Sequence, residues 1–244
     1  MTLPLSHYLP IATTLISIVF AWTIYQRYLQ RGKVGNHLLW WTGGVLVYGM
    51  GTFAESYITL LGQNPVIFKF WYIVGALMGG APLAQGTVWL LLKKRTARRL
   101  TWALVAAISV PAVLVIFSPL NAEVLELALP TGRALGWQWI RKLSPFINTY
   151  AVTFLIGGAI LSAVRFNRVS KGGGQDAELA RDRFFGNVFI AVGATLPGVG
   201  GIGSRMGHTE LLYIGEFFGI MLIWLGYWFN VRRRTENRAA PAPE

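Results

Sequence analysis

Seven apolar runs, each long enough to cross a bilayer, leave this chain little choice of fold. They lie near residues 8–27, 38–62, 66–92, 100–118, 145–164, 184–203 and 209–231. Crossing the hydrocarbon core takes about 20 mostly apolar residues in a helix. The runs consume most of the 244 residues, so no length remains for a soluble core. Only 13% of the residues are charged, where soluble domains carry about a quarter. The fold class read from this pattern is all-α: a polytopic membrane protein built as a seven-helix transmembrane bundle over residues 1–234. The first run has neither a basic leader nor a small-residue cleavage site, so it reads as a retained helix. Residues 235–244, "TENRAAPAPE", read as a disordered cytoplasmic tail.

Charge sets the expected orientation. Lys and Arg collect on the cytoplasmic side of membrane proteins. Seventeen of the 22 basic residues follow runs one, three, five and seven, among them Arg27, Arg31, Lys33, the cluster Lys93 to Arg99, and Arg232 to Arg234. The N-terminus is therefore expected outside and the C-terminus inside. A net charge of +12 would suggest nucleic acid in a soluble protein. Here it is spent in loops, so membrane lipids are the expected partners and nucleic acid is not.

The longest outer connection, residues 119–144, repeats apolar residues at helical spacing and carries Trp137 and Trp139. It reads as a short helix lying on the outer membrane surface. Gly75 with Gly79, and Gly215 with Gly219, form small-residue pairs four apart, which let helices approach closely inside the bundle.

Several activities are excluded. "GVGGIG", residues 198–203, has the spacing of a dinucleotide loop but lies at the end of an apolar run without a preceding strand. With Pro197 it is expected to break that helix end. A retinal pigment needs a lysine in the last helix, and residues 209–231 contain none. There is no cysteine, and the three histidines are scattered. No metal site, cofactor or catalytic residue is expected, and the chain is read as a non-enzyme.

One polar constellation survives. Glu55 lies about 10 Å below the outer end of run two, at about 1.5 Å per residue. Glu216 lies about as deep in run seven. Lys69, Asn148, Arg205, His208, Glu210 and Tyr213 fall in the same outer half. Ionisable side chains at such depth face the bundle interior and pair with one another. The expected pairs are Glu55 with Lys69, and Glu216 with Arg205 or else Lys69. Tyr57, Phe70, Trp71, Tyr72 and Phe217 supply aromatic surroundings. Such a cluster reads first as a structural network that fixes helix register, next as a small-molecule site in the outer half, and last as a path for protons or ions. In run seven, positions 209, 212, 213, 216, 219, 220 and 223 form one helical stripe expected to face inward. Positions 211, 214, 218, 221, 222 and 225 are expected to face lipid.

"GTFAESYITLLGQNPVIFKFWYIVGALMGGAPLAQGTVWLL", residues 51–91, resembles the second and third helices of the seven-helix membrane region of some bacterial sensor histidine kinases. "GSRMGHTELLYIGEFFGIMLIWLGYWF", residues 203–229, is similar to a stretch in related standalone bacterial membrane proteins of the same size. The resemblance implies a sensor-like bundle in the bacterial cytoplasmic membrane, open to the outside and able to bind a small-molecule ligand. No kinase or cyclase domain follows residue 234, so a sensor of this kind is expected to signal through a membrane protein partner. An accessory subunit of a larger membrane complex and a small transporter are the other two readings.

Overall fold

The computed structural model describes residues 5–125, 130–173, 175–208 and 210–239. Among them about 87% are helical and no strand occurs. Six helices are long and apolar enough to cross a membrane: Ser6–Gln30, Pro65–Leu91, Lys94–Phe117, Gln138–Ser170, Asp176–Ser204 and Glu210–Val231. The second apolar run is also one helix, Asn36–Leu61, but Gly, Trp, Tyr and Thr dilute its hydropathy and it does not join the six. The chain forms two compact units, one up to Leu155 and one from Ile156 onward.

In the first unit, α1 (Leu9–Gln30) and α2 (Asn36–Leu61) pack through a seam of small and hydroxyl-bearing residues. Thr14 and Thr52 share a hydrogen bond of 2.9 Å, and a β-carbon on Gly49 would lie 2.8 Å from that of Ser17. Thr13, Thr14 and Ser17 also donate to the carbonyl four residues back, so these hydroxyls are satisfied inside an apolar helix. The next run is interrupted. It comprises α3 (Pro65–Trp71), a π-helical stretch (Tyr72–Met78), a break at Gly79–Gly80, and α4 (Ala81–Leu91). Asn64 caps α3, accepting from the backbone amides of Val66 and Ile67. Gly79 has φ +42°, a left-handed conformation that favours glycine. The run lies antiparallel to α2: Gly51 approaches Gly75, Gly44 packs on Leu83, and Gly86 leaves space filled by Trp41.

Lys94–Phe117 forms α5, joined to α4 by a buried polar knot. Gln85 Nε2 donates to the Ala97 carbonyl (3.2 Å) and to Thr101 Oγ1 (2.8 Å). Trp89 donates to the same Thr101 oxygen (3.0 Å), and Tyr150 of α7 (Ser144–Ala151) donates to Gln85 Oε1. Every polar atom of the Gln85 amide group that α4 carries inward has a partner on α5 or α7, as burial of an amide requires.

The connection over residues 119–144, expected as an outer surface helix, is not one helix. Among its described residues it consists of α6 (Ala122–Leu125) and 3-10 turns at Gly132–Ala134 and Gln138–Lys142. Its two arms meet in a single antiparallel bridge, Leu120 with Leu135. Around it, Gly136 donates to the Pro119 carbonyl (2.7 Å) and Asn121 to that of Ala134 (2.8 Å). Pro130, Gly132 and Gly136 interrupt the apolar spacing that suggested a helix, and the backbone satisfies itself across the arms instead. Residues 126–129 lie outside the described part.

The second unit holds α8 (Gly157–Ser170), α9 (Gln175–Arg205) and α10 (Glu210–Ala239). Glycines on α9 and α10 interlock in antiparallel register. A β-carbon on Gly193 would lie 2.7 Å from the Gly219 carbonyl oxygen, and one on Gly219 would lie 2.8 Å from that of Gly193. One heptad away, Gly186 and Gly226 oppose each other in the same manner, and Gly200 lies against the backbone of Leu211 and Leu212. Pro197 does not break α9. Its ring packs over Gly219, and the helix continues through "GVGGIG" to Arg205. The helix ends at Gly207 (φ +99°), where His208 N–H bonds the Gly203 carbonyl (3.0 Å) and Gly207 N–H that of Ser204 (3.1 Å). At the far end α10 runs on to Ala239, into the segment expected as a disordered tail. Arg, Glu and Ala there are good helix formers; residues 240–244 lie outside the described part.

His37 stands one residue before the second apolar run and half-buried against Trp41, with ring centroids 5.3 Å apart. Burial, with Arg31 and Arg27 nearby, lowers its pKa from 6.5 to about 4. A lowered histidine pKa means that the unfolded chain binds the extra proton first. Stability present above pH 6.5 is therefore lost as the pH falls from 6.5 toward 4. Unfolding followed against pH should show this loss in the wild type and not in His37→Gln.

The glycine register makes a sharper prediction. Gly193→Ala places a methyl on the α10 backbone and should cost about 1–3 kcal/mol. Gly201→Ala, with nothing within 4 Å of the new carbon, should be neutral or gain up to about 1 kcal/mol of helix propensity. Thermal unfolding in detergent measures both.

Candidate functional site

Glu55 occupies the C-terminal half of α2 and is 4% exposed. A carboxylate in an apolar helix costs several kcal/mol unless polar groups receive it. The indole of Trp71 does so, donating to Oε1 at 3.0 Å. The antiparallel register of α2 with α3 sets Trp71 level with Glu55, directly before the π-helical stretch. Tyr72 follows, buried, its hydroxyl 3.4 Å from Ser144 Oγ at the start of α7. A β-carbon on Gly132 would lie 2.8 Å from Cε2 of Tyr72, so the 119–144 connection closes over this ring where it lacks a side chain. Phe68, Trp71 and Tyr72 stand 5.9–6.4 Å apart by ring centroid, an aromatic cluster of which Trp71 reaches the carboxylate.

Lys69 does not take the role expected of it. Its ammonium donates to the carbonyl of Ile116 at 2.7 Å. That carbonyl belongs to the last turn of α5, where backbone oxygens have no helical partner and a cation is favoured. About one turn of the chain thus reaches out in three directions: Lys69 to α5, Trp71 to α2, and Tyr72, the first residue of the π-helical stretch, to α7 and the connection at Gly132. Asn148 stands at the helix break. Its Oδ1 would lie 3.3 Å from a β-carbon on Gly79, while Ala151 and Leu155 of the same run pack against Gly80. Asn148 is exposed, as its place one turn along from the start of α7 allows.

The remaining expected residues belong to the second unit. His208 Nδ1 and Glu210 Oε1 lie 3.6 Å apart in the α9–α10 connection, both largely exposed. A pair so exposed contributes about 0–1 kcal/mol. Tyr213 is 1% exposed. Glu216 is half-buried on the stripe expected to face inward, where positions 213, 219, 220 and 223 are buried. Across the helix, Leu211, Ile214, Phe218, Met221 and Leu225 are exposed, as read from the spacing. Thr209 and the side chain of Arg205, the partner expected for Glu216, lie outside the described part.

Sequence spacing placed Glu55 and its aromatic neighbours in one region but missed three features. Ser144 and Gly132 carry no signal as neighbours of Tyr72, because both belong to a connection whose path is irregular. The π-helical stretch leaves no periodic mark in so apolar a run. The break does leave one, "MGGAP", in which two glycines precede a proline that suits the first turn of a new helix. Among the described residues, no group of three His, Asp or Glu side chains could hold a metal ion.

These features define an all-α protein with apolar, membrane-length helices and a buried carboxylate beside an interrupted helix. No protein-family model matches the chain, and comparison with curated proteins and with solved structures gives no significant match.

Trp71→Phe keeps the ring and removes the donor to Glu55. It should destabilise by about 1.5–3 kcal/mol, the range for a hydrogen bond to a charged group. Lys69→Met, at a half-buried helix end, should cost about 0.3–1 kcal/mol. Thermal unfolding of the two variants in detergent ranks them, and the reverse order would remove Glu55 from the centre of the site.

Proposed function

We propose that this chain is a non-enzymatic, sensor-like integral membrane protein that binds a small molecule beside Glu55. The observation that carries the proposal is the buried Glu55 carboxylate, received by Trp71 where α3 passes into a π-helical stretch. Ionisable groups kept at such depth in apolar helices mark functional sites more often than not. π-Helical turns and helix breaks recur where backbone is needed for more than spanning. A carboxylate bonded to Trp71, which packs with Phe68 and Tyr72, favours a ligand with a positive charge or hydrogen-bond donors and a flat apolar body.

The seven-helix topology belongs to the same proposal. Asn36–Leu61 is about 39 Å long at about 1.5 Å per residue. It runs antiparallel to α1 on one side and to the Pro65–Leu91 run on the other. If both neighbours cross a bilayer in the same direction, α2 returns between them. With the N-terminus outside and the C-terminus in the cytoplasm, Glu55 falls in the outer half of a bacterial cytoplasmic membrane. Exposed Trp139 and Phe146 beside the outer connection favour a second reading, in which this face docks on a larger membrane complex.

Native mass spectrometry of gently solubilised protein tests the readings against each other. A retained small molecule, lost in Glu55→Gln, which keeps an acceptor for Trp71 and so lowers Tm less than Glu55→Ala does, is the expected result. Co-purifying protein subunits with no small-molecule adduct would overturn it in favour of the accessory subunit. A reporter fused after residue 244 should be active only in the cytoplasm.

A further inference from the structure

We propose that one end of the first unit is a docking surface for anionic phospholipid headgroups. The proposal rests on the membrane placement above and not on the ligand reading at Glu55. The α1–α2 and α2–α4 registers bring the end of α1, the start of α2 and the end of α4 to one level. Gln85 and Trp89 of α4, bonded to Ala97 and Thr101, bring the start of α5 there too. This end carries Arg27, Arg31, Lys33, Lys93, Lys94, Arg95, Arg98 and Arg99.

Acidic residues are scarce in this unit. Glu55 is the only acidic residue in the first 122, and it sits toward the opposite end of α2. Lys93, Lys94, Arg95, Arg98 and Arg99 are all exposed, around a buried Ala97. Among the described residues, no hydrogen bond or ion pair engages their side chains. They also crowd the first turns of α5, whose backbone dipole disfavours cations. Anions are what this arrangement lacks.

The outward face of α5 says which anions. Beyond the cations comes Trp102, 70% exposed, and after it the exposed aliphatic residues Val105, Val110, Val113 and Ile116. Cation, then indole, then aliphatic side chain is the order of headgroup, interface and acyl chain in an anionic leaflet. On α1 the exposed Trp22 and Tyr25, with centroids 6.2 Å apart, stand at the same boundary below Arg27. A soluble acidic protein or a nucleic acid would use the cations but leave this ordered apolar continuation without a role.

The test extracts the full chain from vesicles holding phosphatidylglycerol and phosphatidylcholine in equal amounts and reads retained lipid by native mass spectrometry. Phosphatidylglycerol adducts should dominate in the wild type. Neutralising Lys93, Lys94, Arg95, Arg98 and Arg99 to Gln should weaken that retention by about fivefold per cation, the equivalent of about 1 kcal/mol each. Lys93→Arg with Lys94→Arg should retain the lipid, which separates charge from folding. Inorganic phosphate at matched concentration should not displace it. Equal retention of the two lipids by the wild type, wild-type retention in the Gln variant, or displacement by phosphate would each overturn the proposal. The equal-retention result would leave the membrane reading intact, provided that the protein still requires detergent for extraction.

Discussion

Close approach of helix backbones is the condition on which the rest of this structure depends. Apolar helices gain little from burying one aliphatic surface rather than another when their surroundings are themselves apolar. What distinguishes one packing from all others is how near two backbones can come and which polar groups meet there. Gly49 against Ser17, Gly51 against Gly75, and Gly193 against Gly219 each remove a side chain at the point of contact. In the second unit the register then follows, because a β-carbon at Gly193 or Gly219 would meet a backbone carbonyl of the facing helix. In the second unit the opposition repeats at heptad spacing, so one correct pair enforces the next.

Register in turn decides the chemistry of the first unit. With α2 fixed against α3, Trp71 is the residue level with Glu55, and the carboxylate is received by an indole. The cation two residues earlier points elsewhere, to the open carbonyl end of α5. A lysine and a glutamate on neighbouring helices invite pairing on paper. An ammonium satisfied by a terminal carbonyl keeps its charge near the helix end without the cost of bringing two ions into the interior. Gln85 shows the same economy: an amide with partners on two helices fixes a three-helix contact with no net charge at all.

The sequence announced the large features because they are periodic. Run lengths located the helices, and the spacing of Tyr213, Glu216, Gly219 and Ile223 told the buried face of α10 from the exposed one. Where the structure departs from that reading, the local signal was a residue with two uses. Glycines 198–203 looked like a helix terminator, yet Gly200 and Gly203 serve packing against Leu211, and Gly207 alone takes the left-handed conformation that ends α9. Conversely, Gly79 looked like a packing glycine of the kind Gly75 is, and is instead where the helix is interrupted. Composition cannot separate these uses, because both follow from the missing β-carbon. The outer connection was misjudged for a related reason: its apolar residues recur at helical spacing, but three helix breakers within seven positions leave no room for two turns.

Tyr72 is where these separate decisions meet. It is the first residue of the π-helical stretch, the neighbour in sequence of the indole that receives Glu55, and the ring over which the outer connection closes at Gly132. Ser144, its hydroxyl partner, opens the helix whose Asn148 and Ala151 stand at the Gly79–Gly80 break. The ring touches the covering segment at Gly132 and Ser144 directly and stands beside the indole that reaches the carboxylate, while the helix that Ser144 opens packs on the break. Coupling of this sort needs no long pathway, only a packed aromatic with two arrangements of similar energy. The extra residue of a π-helical turn is a natural source of the second arrangement, because its loss or migration rotates every side chain beyond it. A small molecule that bound Glu55 in place of Trp71 would act on this turn first.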